Sequence, residues 1–561
     1  MHLIKATKKR LRVLREEDGY SMLAVIGAIA VTTMLVSAAV AATNDDQTFL
    51  RRDINQKRAY AAAQAGIADY TYHLNTDSGY WARCTSVPAP NAVNLNMNGN
   101  PTNTRPVPGV TDGSRYGIEL LQASTSPGGS QCDSQNPNAT MLEANGANTG
   151  TFRVRSTGFS GTGKVSIVAT YKQATFLDYV YFTQLETSDP VTYGFPNPSA
   201  ALTGAYSQCT KFRRDGRESS PIPGTNNQFC DQIVFVGGDQ IDGPLHTNDD
   251  LRVCGSTTFG RNGADVTEVS APPVGWAHGN NCTASPTFRA PLVTRAPVLT
   301  PPATNTTLKA IAGPSNTFTG RTKIVLNGNN MTITTNTGQT IGPVAVPSDG
   351  VVYVQNGAGC SNSYSPFTTA YPATSGCGNA IVHTASGGSY SGQLTIAAEN
   401  DVIIDGDIRR TSSSADLLGL IANNFIRVMH PICESNDLGC AGGTGVPGSV
   451  SEQAAKGDCD ADNDGNRGVN GTGSNSNLNI DAALLAIDHS FIVDHYDCGG
   501  SLGTLTVNGA ISQKFRGAVG TTGGTGYIKD YNYDDRLRFQ EPPHFFDPVQ
   551  SAWHVQRETL G

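Results

Sequence analysis

The stretch YSMLAVIGAIAVTTMLVSAAVAAT, residues 20–43, contains 24 residues without a charged side chain. At a rise of 1.5 Å per residue, a helix of this length measures about 36 Å, which is enough to cross the apolar core of a bilayer. Basic residues precede the stretch and are retained on the cytoplasmic side of a membrane; they are Lys5, Lys8, Lys9, Arg10, Arg12 and Arg15. We therefore predict a transmembrane segment at residues 20–43, followed by an exported C-terminal part.

An ordinary cleaved secretory signal is the alternative. Such a signal has its cationic residues directly against the apolar part, whereas Glu16, Glu17 and Asp18 intervene here. The small residues at VSA (36–38) and VAA (40–42) nevertheless suit a signal peptidase. Cleavage at these two places stays open as the alternative to an uncleaved segment.

The helical pattern continues beyond the apolar stretch through NDDQTFLRRDINQKRAYAAAQAGIADYTYHLN, residues 44–75, without a proline. Apolar residues recur at spacings of three, four and seven, which is the pattern of one helix face; they are Leu50, Ile54, Ala61, Ala65, Ala68 and Tyr72. The pattern predicts one helical rod of about 56 residues and about 84 Å, ending near Asn75. Its second half is amphipathic and rich in small residues, which allow close helix approach.

These features together resemble a type IV prepilin, and more specifically the PilX-type minor pilins. The resemblance covers about residues 16–75 and is carried by a short basic leader that ends in Gly19, by Tyr20, by the apolar run and by RAYAAAQAGIADY. It implies that a prepilin peptidase cleaves between Gly19 and Tyr20 and methylates the new Tyr20 amine. The helix would then move from the cytoplasmic membrane into a filament.

One position departs from the pattern of major pilins. Those proteins carry a glutamate at the fifth mature position, where this sequence has Ala24. Large minor pseudopilins of type II secretion systems share this difference. The resemblance therefore implies a rare subunit, and it leaves open whether the filament is a pilus or a secretion pseudopilus.

Composition limits the exported part, which holds more than 480 residues and is therefore expected to form two or more domains. The chain has 62 glycines and only 15% charged residues, against about 25% on average, which favours turn-rich β structure. Its formal charge is −8, and removal of the leader, with six basic and three acidic side chains, leaves about −11. An acidic ectodomain indicates no specific nucleic-acid partner.

Twelve cysteines all follow the apolar stretch, which indicates disulfides formed in an oxidising compartment. Pairing of sequence neighbours is the simplest arrangement and gives Cys84 with Cys132, Cys209 with Cys230, Cys254 with Cys282, and Cys360 with Cys377. Zinc is disfavoured because no CxxC pair occurs. The full set is Cys84, Cys132, Cys209, Cys230, Cys254, Cys282, Cys360, Cys377, Cys433, Cys440, Cys459 and Cys498.

The fold class predicted from these patterns is α+β and mainly β. A hairpin is expected at TFRVRSTGFSGTGKVSIVATYK, residues 151–172, where apolar residues alternate around a glycine-rich turn. The predicted divisions are a leader (1–19), the pilin-like helix (20–76), a small pilin-like β region (77–185), a disulfide-containing and proline-rich connecting region (186–310), and a β-helix-like ectodomain with an aromatic C-terminal cap (311–561).

Short β segments separated by turns recur after the proline-rich tract. Examples are KIVLNG, MTITTN, GVVYVQN, GQLTIAAENDVIIDGDI, LLGLIANNFIRV, ALLAIDHSFIV and GTLTVNGAISQKFRG. This pattern predicts an irregular parallel β-helix or solenoid, with a β-sandwich as the alternative. The aromatic ending is expected to cover the last β layer; its residues are Tyr527, Tyr531, Tyr533, Phe539, Phe545, Phe546 and Trp553.

The segment DCDADNDGNRG, residues 458–468, has the spacing of the first half of an EF-hand-type calcium loop. Asp460, Asp462 and Asp464 occupy alternate positions and a glycine follows, so the carboxylates can converge on one cation. The twelfth position, where a bidentate glutamate belongs, is Gly471. Ca²⁺ is therefore the one cofactor that the sequence indicates, with Asn466, Asp458 or a more distant acid completing the ligands.

Two groups of residues suit an enzyme instead. Asp405 and Asp407, two apart, would point the same way in a strand, as do the carboxylates of parallel β-helix enzymes that act on acidic polysaccharides, and Asp401 and Glu399 lie nearby. The acids also occupy expected turn positions. The second group is a set of possible metal or base residues, which also fit the polar face of a strand: His489, His495, Asp488, Asp494 and Asp497.

The interpretation that accounts for most of these features is a non-enzymatic minor pilin-like subunit. It would lie at or near the filament tip and serve assembly initiation, surface contact or adhesion. Its expected partners are other pilins, the prepilin peptidase, the cytoplasmic membrane before assembly, and a surface ligand. The alternative is a membrane-anchored β-helix enzyme acting on cell-surface polysaccharide.

Overall fold

The structure is a computed structural model that describes residues 20–76, 80, 104–121, 151–280, 282–361, 364–369, 371, 376–412, 415–434, 452–538, 540–549 and 553–560. It describes only the backbone of residues 20, 21, 23, 24, 39–48, 75, 173, 554 and 556. The described residues form two compact units. Residues 20–121, 151–172 and 555–560 belong to the first unit, and residues 173–554 belong to the second.

The described residues of the first unit form one α-helix and one sheet. Its elements are α1 Tyr20–Thr76, β1 Arg105–Pro106, β2 Arg115–Leu121, β3 Thr151–Ser160, β4 Gly163–Gln173 and, near the C-terminus, β32 Trp553–Leu560. In the second unit the described part of the chain has two short α-helices, α2 Ala200–Cys209 and α3 Thr307–Ala312. Its 3₁₀ turns are Phe176–Asp178, Pro190–Tyr193, Arg213–Asp215, Pro314–Asn316 and Asp535–Arg538.

The remaining strands all belong to the second unit. The first ten of them are β5 Tyr181–Leu185, β6 Phe235–Val236, β7 Gln240–Asp242, β8 Leu245–Thr247, β9 Leu251–Cys254, β10 Thr258–Phe259, β11 Thr267–Val269, β12 Trp276–His278, β13 Thr287–Phe288 and β14 Val293–Thr294. The next eight are β15 Thr317–Thr319, β16 Thr322–Asn327, β17 Asn330–Thr334, β18 Thr340–Ala345, β19 Val351–Gln355, β20 Ala380–Thr384, β21 Gln393–Ala398 and β22 Val402–Ile404. The last nine are β23 Leu417–Ala422, β24 Ile426–Val428, β25 Ile432–Cys433, β26 Val469–Asn470, β27 Asn479–Ile480, β28 Ala483–Ala486, β29 Phe491–Val493, β30 Ser501–Phe515 and β31 Gly526–Tyr533.

Helix α1 is continuous over 57 residues and ends at Thr76. The predicted single rod with its end near Asn75 is therefore confirmed. The segment has no proline to remove a backbone donor, and Ala59–Ala63 supply strong helix formers to its second half.

The sheet of the first unit has the order β1-β2-β3-β4-β32, and its first four strands pair antiparallel. The predicted hairpin at residues 151–172 is confirmed as β3 and β4, which pair from Thr151 with Lys172 to Ser160 with Gly163. Gly161 in the connecting turn has a φ of +54°, a conformation that glycine adopts at little cost.

The second unit is a coil of mostly parallel strands. One sheet follows the order β13-β10-β7-β31-β30-β28-β23-β21-β19-β15, and a second has β16, β20, β22, β24 and β29 as parallel neighbours with β17 and β18 at an antiparallel edge. Successive turns of the chain each contribute one strand to the first sheet and the next strand to the second sheet. Examples are β21–β22, β23–β24 and β28–β29. The predicted β-helix is confirmed. The alternative β-sandwich is wrong, because it requires two antiparallel sheets.

Aliphatic ladders form the core of this coil, because equivalent positions of successive turns lie directly over one another. In the first sheet the register aligns Val352, Ile396, Leu420, Leu484 and Ile511, all fully buried. In the second it aligns Ile324, Val382, Ile404, Val428 and Val493, also fully buried. Burial of each such side chain contributes about 1.5–3 kcal/mol, so the ladders stabilise every turn against its neighbours.

The order of turns along the coil does not follow the chain. Strand β30 pairs in parallel with β5, and β5 with β8, so Ile511, Tyr181 and Leu245 extend the first ladder. Residues 186–310, which the sequence assigns to a connecting region, contribute β7, β8, β10, β11, β13 and β14 to the first sheet, while β6, β9 and β12 form a separate three-stranded parallel sheet. The N-terminal turns of the second unit thus stack on its C-terminal ones.

The aromatic residues near the C-terminus lie in three different places. Tyr527, Tyr531 and Tyr533 are buried in β31, which lies inside the stack between β30 and β7. Phe545 is buried beside Gly419 of β23, and Trp553 belongs to β32. The predicted aromatic cap is therefore not a single layer over the end of the coil; Phe539 lies outside the described residues.

Four disulfides are present among the described cysteines, and three of them are predicted neighbour pairs. Cys209–Cys230, Cys254–Cys282 and Cys360–Cys377 have Cα–Cα distances of 5.6, 5.6 and 4.5 Å. The fourth joins Cys459 to Cys498 across 5.7 Å, and Cys433 is also disulfide-bonded. The remaining cysteines lie outside the described residues; they are Cys84, Cys132 and Cys440.

Candidate assembly interface and other candidate sites

The N-terminal half of α1 presents apolar side chains to solvent on all sides. Between residues 22 and 38 every described side chain is exposed, with Met22 at 73%, Ile29 at 56% and Leu35 at 64%. A helix that is apolar all round is normally buried, and exposed apolar patches mark interaction surfaces. We name residues 22–38 the exposed half of α1.

The C-terminal half of α1 packs on the sheet of the first unit. Ala59, Ala63, Ile67, Tyr70 and Leu74 recur at helical spacing and are at most 4% exposed. The sheet contributes buried side chains to the same core; they are Tyr116, Ile118, Phe152, Val154, Ile167, Ala169 and Tyr171.

Glycines let the helix and sheet backbones approach closely. A Cβ atom on Gly158 of β3 would lie 1.9 Å from the carbonyl oxygen of Ala59, and one on Gly163 would lie 2.4 Å from that of Asn55. A glycine inside a strand signals such an approach, which the alternation of the predicted hairpin does not indicate. These positions belong to the interface that holds α1 to the sheet.

Polar contacts complete the same interface. The Tyr171 hydroxyl donates to the Ile67 carbonyl oxygen at 3.1 Å and lies 2.9 Å from Thr71 Oγ1. Arg105 Nη1 lies 3.0 Å from Asp69 Oδ2. Burial, followed by the nearby Asp69 carboxylate, raises the pKa of Tyr116 to about 12, so this hydroxyl stays protonated at physiological pH.

The residues of the predicted processing site can be placed only in part. Gly19 lies outside the described residues, and α1 has Tyr20 as its first residue. In the part of the chain whose side chains the structure describes, no helix is long and apolar enough to cross a membrane. The prediction of a transmembrane segment at residues 20–43 is therefore not supported by the structure.

The carboxylates of the predicted calcium loop do come together. Ligand oxygens of Asp460, Asp462 and Asp464 all lie within 4.8 Å of one another. The Asp460 carboxylate accepts the backbone N–H groups of Asp464 (3.1 Å) and Gly465 (3.0 Å), which folds the loop around it. Asn466 Nδ2 donates to Asp464 Oδ2 at 2.8 Å.

A second group of acids shares one member of this loop. Glu434, Glu452 and Asp462 also have ligand atoms within 4.8 Å of one another. Gly471, at the twelfth position, instead packs against the Cys433 side chain, 3.0 Å from where its Cβ would lie. Hard oxygen ligands from distant segments can complete a calcium site in place of the twelfth-position glutamate.

Three of the four carboxylates considered for catalysis have cationic partners. Strand β22 ends at Ile404, so Asp405 and Asp407 lie in the following turn and not on one strand face. Asp405 contacts His383 Nδ1 at 2.6 Å and Lys323 Nζ at 2.8 Å. Burial alone would raise the pKa of Asp405, but these two contacts outweigh it and leave the pKa below its usual value.

Asp401 and Asp407 are likewise paired. Asp407 contacts Arg409 at 2.9 Å, and Asp401 contacts the buried Arg427 at 3.2 Å. Arg427 also contacts Asp494 at 3.0 Å, so one arginine joins two buried carboxylates. This buried network had no signal in the sequence, because its members are far apart in the chain.

The predicted cluster of histidines and acids does not converge on one point. His489 Nδ1 lies 2.8 Å from Asp189, whereas His495 Nε2 donates to the Thr369 carbonyl oxygen at 3.1 Å. Asp488 pairs with Lys514 at 3.3 Å. Within the described residues, neither group of side chains that could hold a metal ion contains a histidine.

Burial lowers the pKa of His495 to about 4, and Asp494 only partly opposes it. Between pH 6.5 and about 4 the unfolded chain binds a proton at this position while the folded chain does not, so stability falls as the pH is lowered through this window. We expect the free energy of unfolding to decrease by about 3 kcal/mol because of His495. Urea unfolding at pH 7 and pH 4.5 checks it, because His495→Gln should show a smaller difference between the two pH values.

The comparison with His495→Gln also distinguishes the contribution of His495 to the pH dependence of stability from the contributions of two other histidines. Burial lowers the pKa of His430, whereas the Asp189 carboxylate outweighs burial and raises that of His489. Both histidines are present in parent and variant, so their contributions cancel. An unchanged pH dependence in His495→Gln would contradict the assignment.

The fold and these sites together define a chain with a helix-and-sheet unit, an exposed apolar helix half and a disulfide-braced β-helix. No protein-family model and no curated protein matches the chain. Among solved structures it is similar to the competence-associated pilin ComZ from Thermus thermophilus, with 13% sequence identity and a TM-score of 0.23. That alignment covers 90% of this chain and 98% of the other, and its TM-score is too low to indicate a shared fold.

Proposed function

We propose that this chain is a non-enzymatic, minor pilin-like subunit of a type IV pilus or related filament, at or near the tip. Its work there would be assembly initiation, surface contact or adhesion. The single observation that carries the proposal is the division of α1 into two halves. One half packs on the sheet of the first unit, and the other, residues 22–38, presents apolar side chains that none of the described residues covers.

Copies of similar helices in a filament would bury this exposed half. Each large apolar side chain moved from water into such a helix bundle contributes about 1.5–3 kcal/mol, and the half carries Met22, Val25, Ile26, Ile29 and Leu35 among others. Small residues between them, such as Gly27, allow close helix packing. This gives the helix a physical reason to assemble.

A membrane-held stage before assembly is part of the proposal. It rests on the uncharged run of residues 20–43 and on the basic leader, which orients the chain with its C-terminal part exported. Cleavage between Gly19 and Tyr20 would free the helix to enter the filament. The four disulfides are consistent with folding of the second unit in an oxidising compartment.

The N-terminal mass of the protein extracted from its own host tests this route. We expect a chain that begins at methylated Tyr20, and we expect this form to disappear when the prepilin peptidase is deleted. A chain that begins at Met1, or one cleaved beyond Ala38, would contradict the filament proposal. The second result would instead favour an ordinary signal peptidase.

Calcium binding at the loop of Asp460, Asp462 and Asp464 belongs to the same proposal. Because the loop lacks the twelfth-position glutamate, we expect a dissociation constant of about 0.1–1 mM, which is typical of extracellular modules. Asp462→Asn should weaken binding at least tenfold, since Asp462 belongs to both groups of acids. Isothermal titration of the purified chain with CaCl₂ measures this.

The matched control is Asp488→Asn. Asp488 is also a partly exposed aspartate of the second unit, but it pairs with Lys514 outside the loop. Calcium titration of this variant should match the parent. Equal binding by parent and Asp462→Asn would show that the loop is only a solvated acidic turn.

A further inference from the structure

The second unit contains a cavity of about 490 Å³ that the filament proposal does not use. Five separate segments line it: Ser188, residues 231–239 before β7, Lys456, Tyr496, and residues 518–529 leading into β31. Its volume lies in the range of about 300–1,000 Å³ that is typical of small-molecule sites. The cavity forms where N-terminal and C-terminal turns of the coil meet.

Two lysine–aspartate pairs face this cavity. Lys456 Nζ lies 2.6 Å from Asp231 Oδ2, and their side chains are 46% and 33% exposed. Lys529 Nζ lies 2.9 Å from Asp239 Oδ2, and their side chains are only 12% and 2% exposed. One pair therefore lies at the rim, and the other lies deep in the protein.

The rest of the lining combines apolar and polar groups. Tyr496 and Tyr527 are buried lining residues, and Val519 and Ile528 supply aliphatic surface. Gly238 also lines the cavity and has no atom within 4 Å of its Cβ position, so the absence of a side chain there leaves open space.

This arrangement favours a neutral ligand with several hydroxyl groups. Each ammonium group is already neutralised by its carboxylate, so the four charges exert little net attraction on an anion or a cation. Each pair nevertheless presents a strong acceptor and a strong donor side by side. A hydroxyl group both donates and accepts, so adjacent hydroxyls match a carboxylate and an ammonium together.

We propose that this cavity binds one pyranose residue of a neutral saccharide. Hydroxyls at one edge of the ring contact the Lys456–Asp231 pair, hydroxyls at the other edge contact the Lys529–Asp239 pair, and the C–H face of the ring packs on the tyrosine and aliphatic wall. The inference stands on the cavity alone and does not depend on filament assembly.

Titration of the purified full-length chain tests the proposal without any filament. The probes are methyl α-D-glucopyranoside, methyl α-D-mannopyranoside, methyl β-D-galactopyranoside and N-acetylglucosamine, followed by saturation-transfer NMR, with sodium glucuronate as the anionic comparison. We expect saturable binding of at least one neutral pyranoside with a millimolar dissociation constant, and weaker binding of glucuronate. No saturable binding by any neutral probe, or tighter binding of glucuronate, would overturn the proposal.

Variants at the rim connect the binding to this cavity. Asp231→Asn and Lys456→Met each remove one charge from a partly exposed pair, and each should weaken binding at least about tenfold. The matched pair Asp488→Asn and Lys514→Met, which lies outside the cavity, should bind as the parent does. Thermal unfolding of all four variants shows whether they fold. Folded rim variants that bind with parental affinity would also overturn the proposal.

Discussion

Gly158→Ala is expected to destabilise the contact between α1 and its sheet by about 3 kcal/mol or more. The added Cβ would lie 1.9 Å from the Ala59 carbonyl oxygen and 2.4 Å from the Ala63 nitrogen. Both are backbone atoms of a helix, so neither can rotate away as a flexible side chain can. The helix and the sheet must therefore move apart, and the buried alanine face of α1 loses its contacts.

Amide hydrogen exchange of the full-length chain measures this effect locally. Protection in β3 and β4 should fall about 100-fold in Gly158→Ala, whereas strands of the second unit should exchange as before. Gly27→Ala is the matched control, because no atom lies within 4 Å of its Cβ position. Unchanged protection of β3 in Gly158→Ala would contradict the close packing of helix and sheet.

Local patterns made much of this fold predictable from the sequence. The spacing of apolar residues predicts α1 to within a residue of its end, because a proline-free helix with one apolar stripe has few alternatives. The hairpin at residues 151–172 and the strands of the coil follow from alternation and turn residues. The three neighbour disulfides follow because each closes a short loop of the chain, with sequence separations of 21, 28 and 17 residues.

The parts that escaped prediction depend on contacts between distant residues. Nothing in the local sequence of β5 indicates that Tyr181 stacks on Ile511, which follows it by more than 300 residues. The approach of Glu434 to the calcium loop and the pairing of Asp401 with Arg427 are equally non-local. A parallel coil specifies similar apolar ladders in every turn, so the ladders alone do not fix the order of the turns.

In the candidate sites, too, features set by local sequence were predictable and contacts between distant residues were not. The spacing of three aspartates predicts their convergence, because alternate residues of one short loop cannot lie far apart. The ion pairs of the carboxylates considered for catalysis were not predicted, because spacing says nothing of partners, and His383 and Lys323 come from other turns of the coil. The helix-facing glycines left a local signal, a glycine within a strand, which becomes informative only when a packing partner is considered.

Ile29→Asp is expected to abolish incorporation of the chain into filaments while both units stay folded. Ile29 is 56% exposed in the single chain, so a carboxylate there is solvated and leaves the packing of the two units unchanged. In a filament the same side chain would be enclosed by apolar neighbours, where an unpaired charge is costly. We expect at least a tenfold decrease of the chain in sheared filaments, at an unchanged cellular level.

Val110→Asp is the matched control, because Val110 is 44% exposed in the first unit but lies outside α1. This variant should enter filaments as the parent does. Membrane fractionation of Ile29→Asp separates two causes of a loss: a chain absent from the membrane fails at insertion, whereas a chain present there fails at assembly. Recovery of Ile29→Asp in filaments at the parental level would mean that the exposed half of α1 is not the surface by which the subunit assembles.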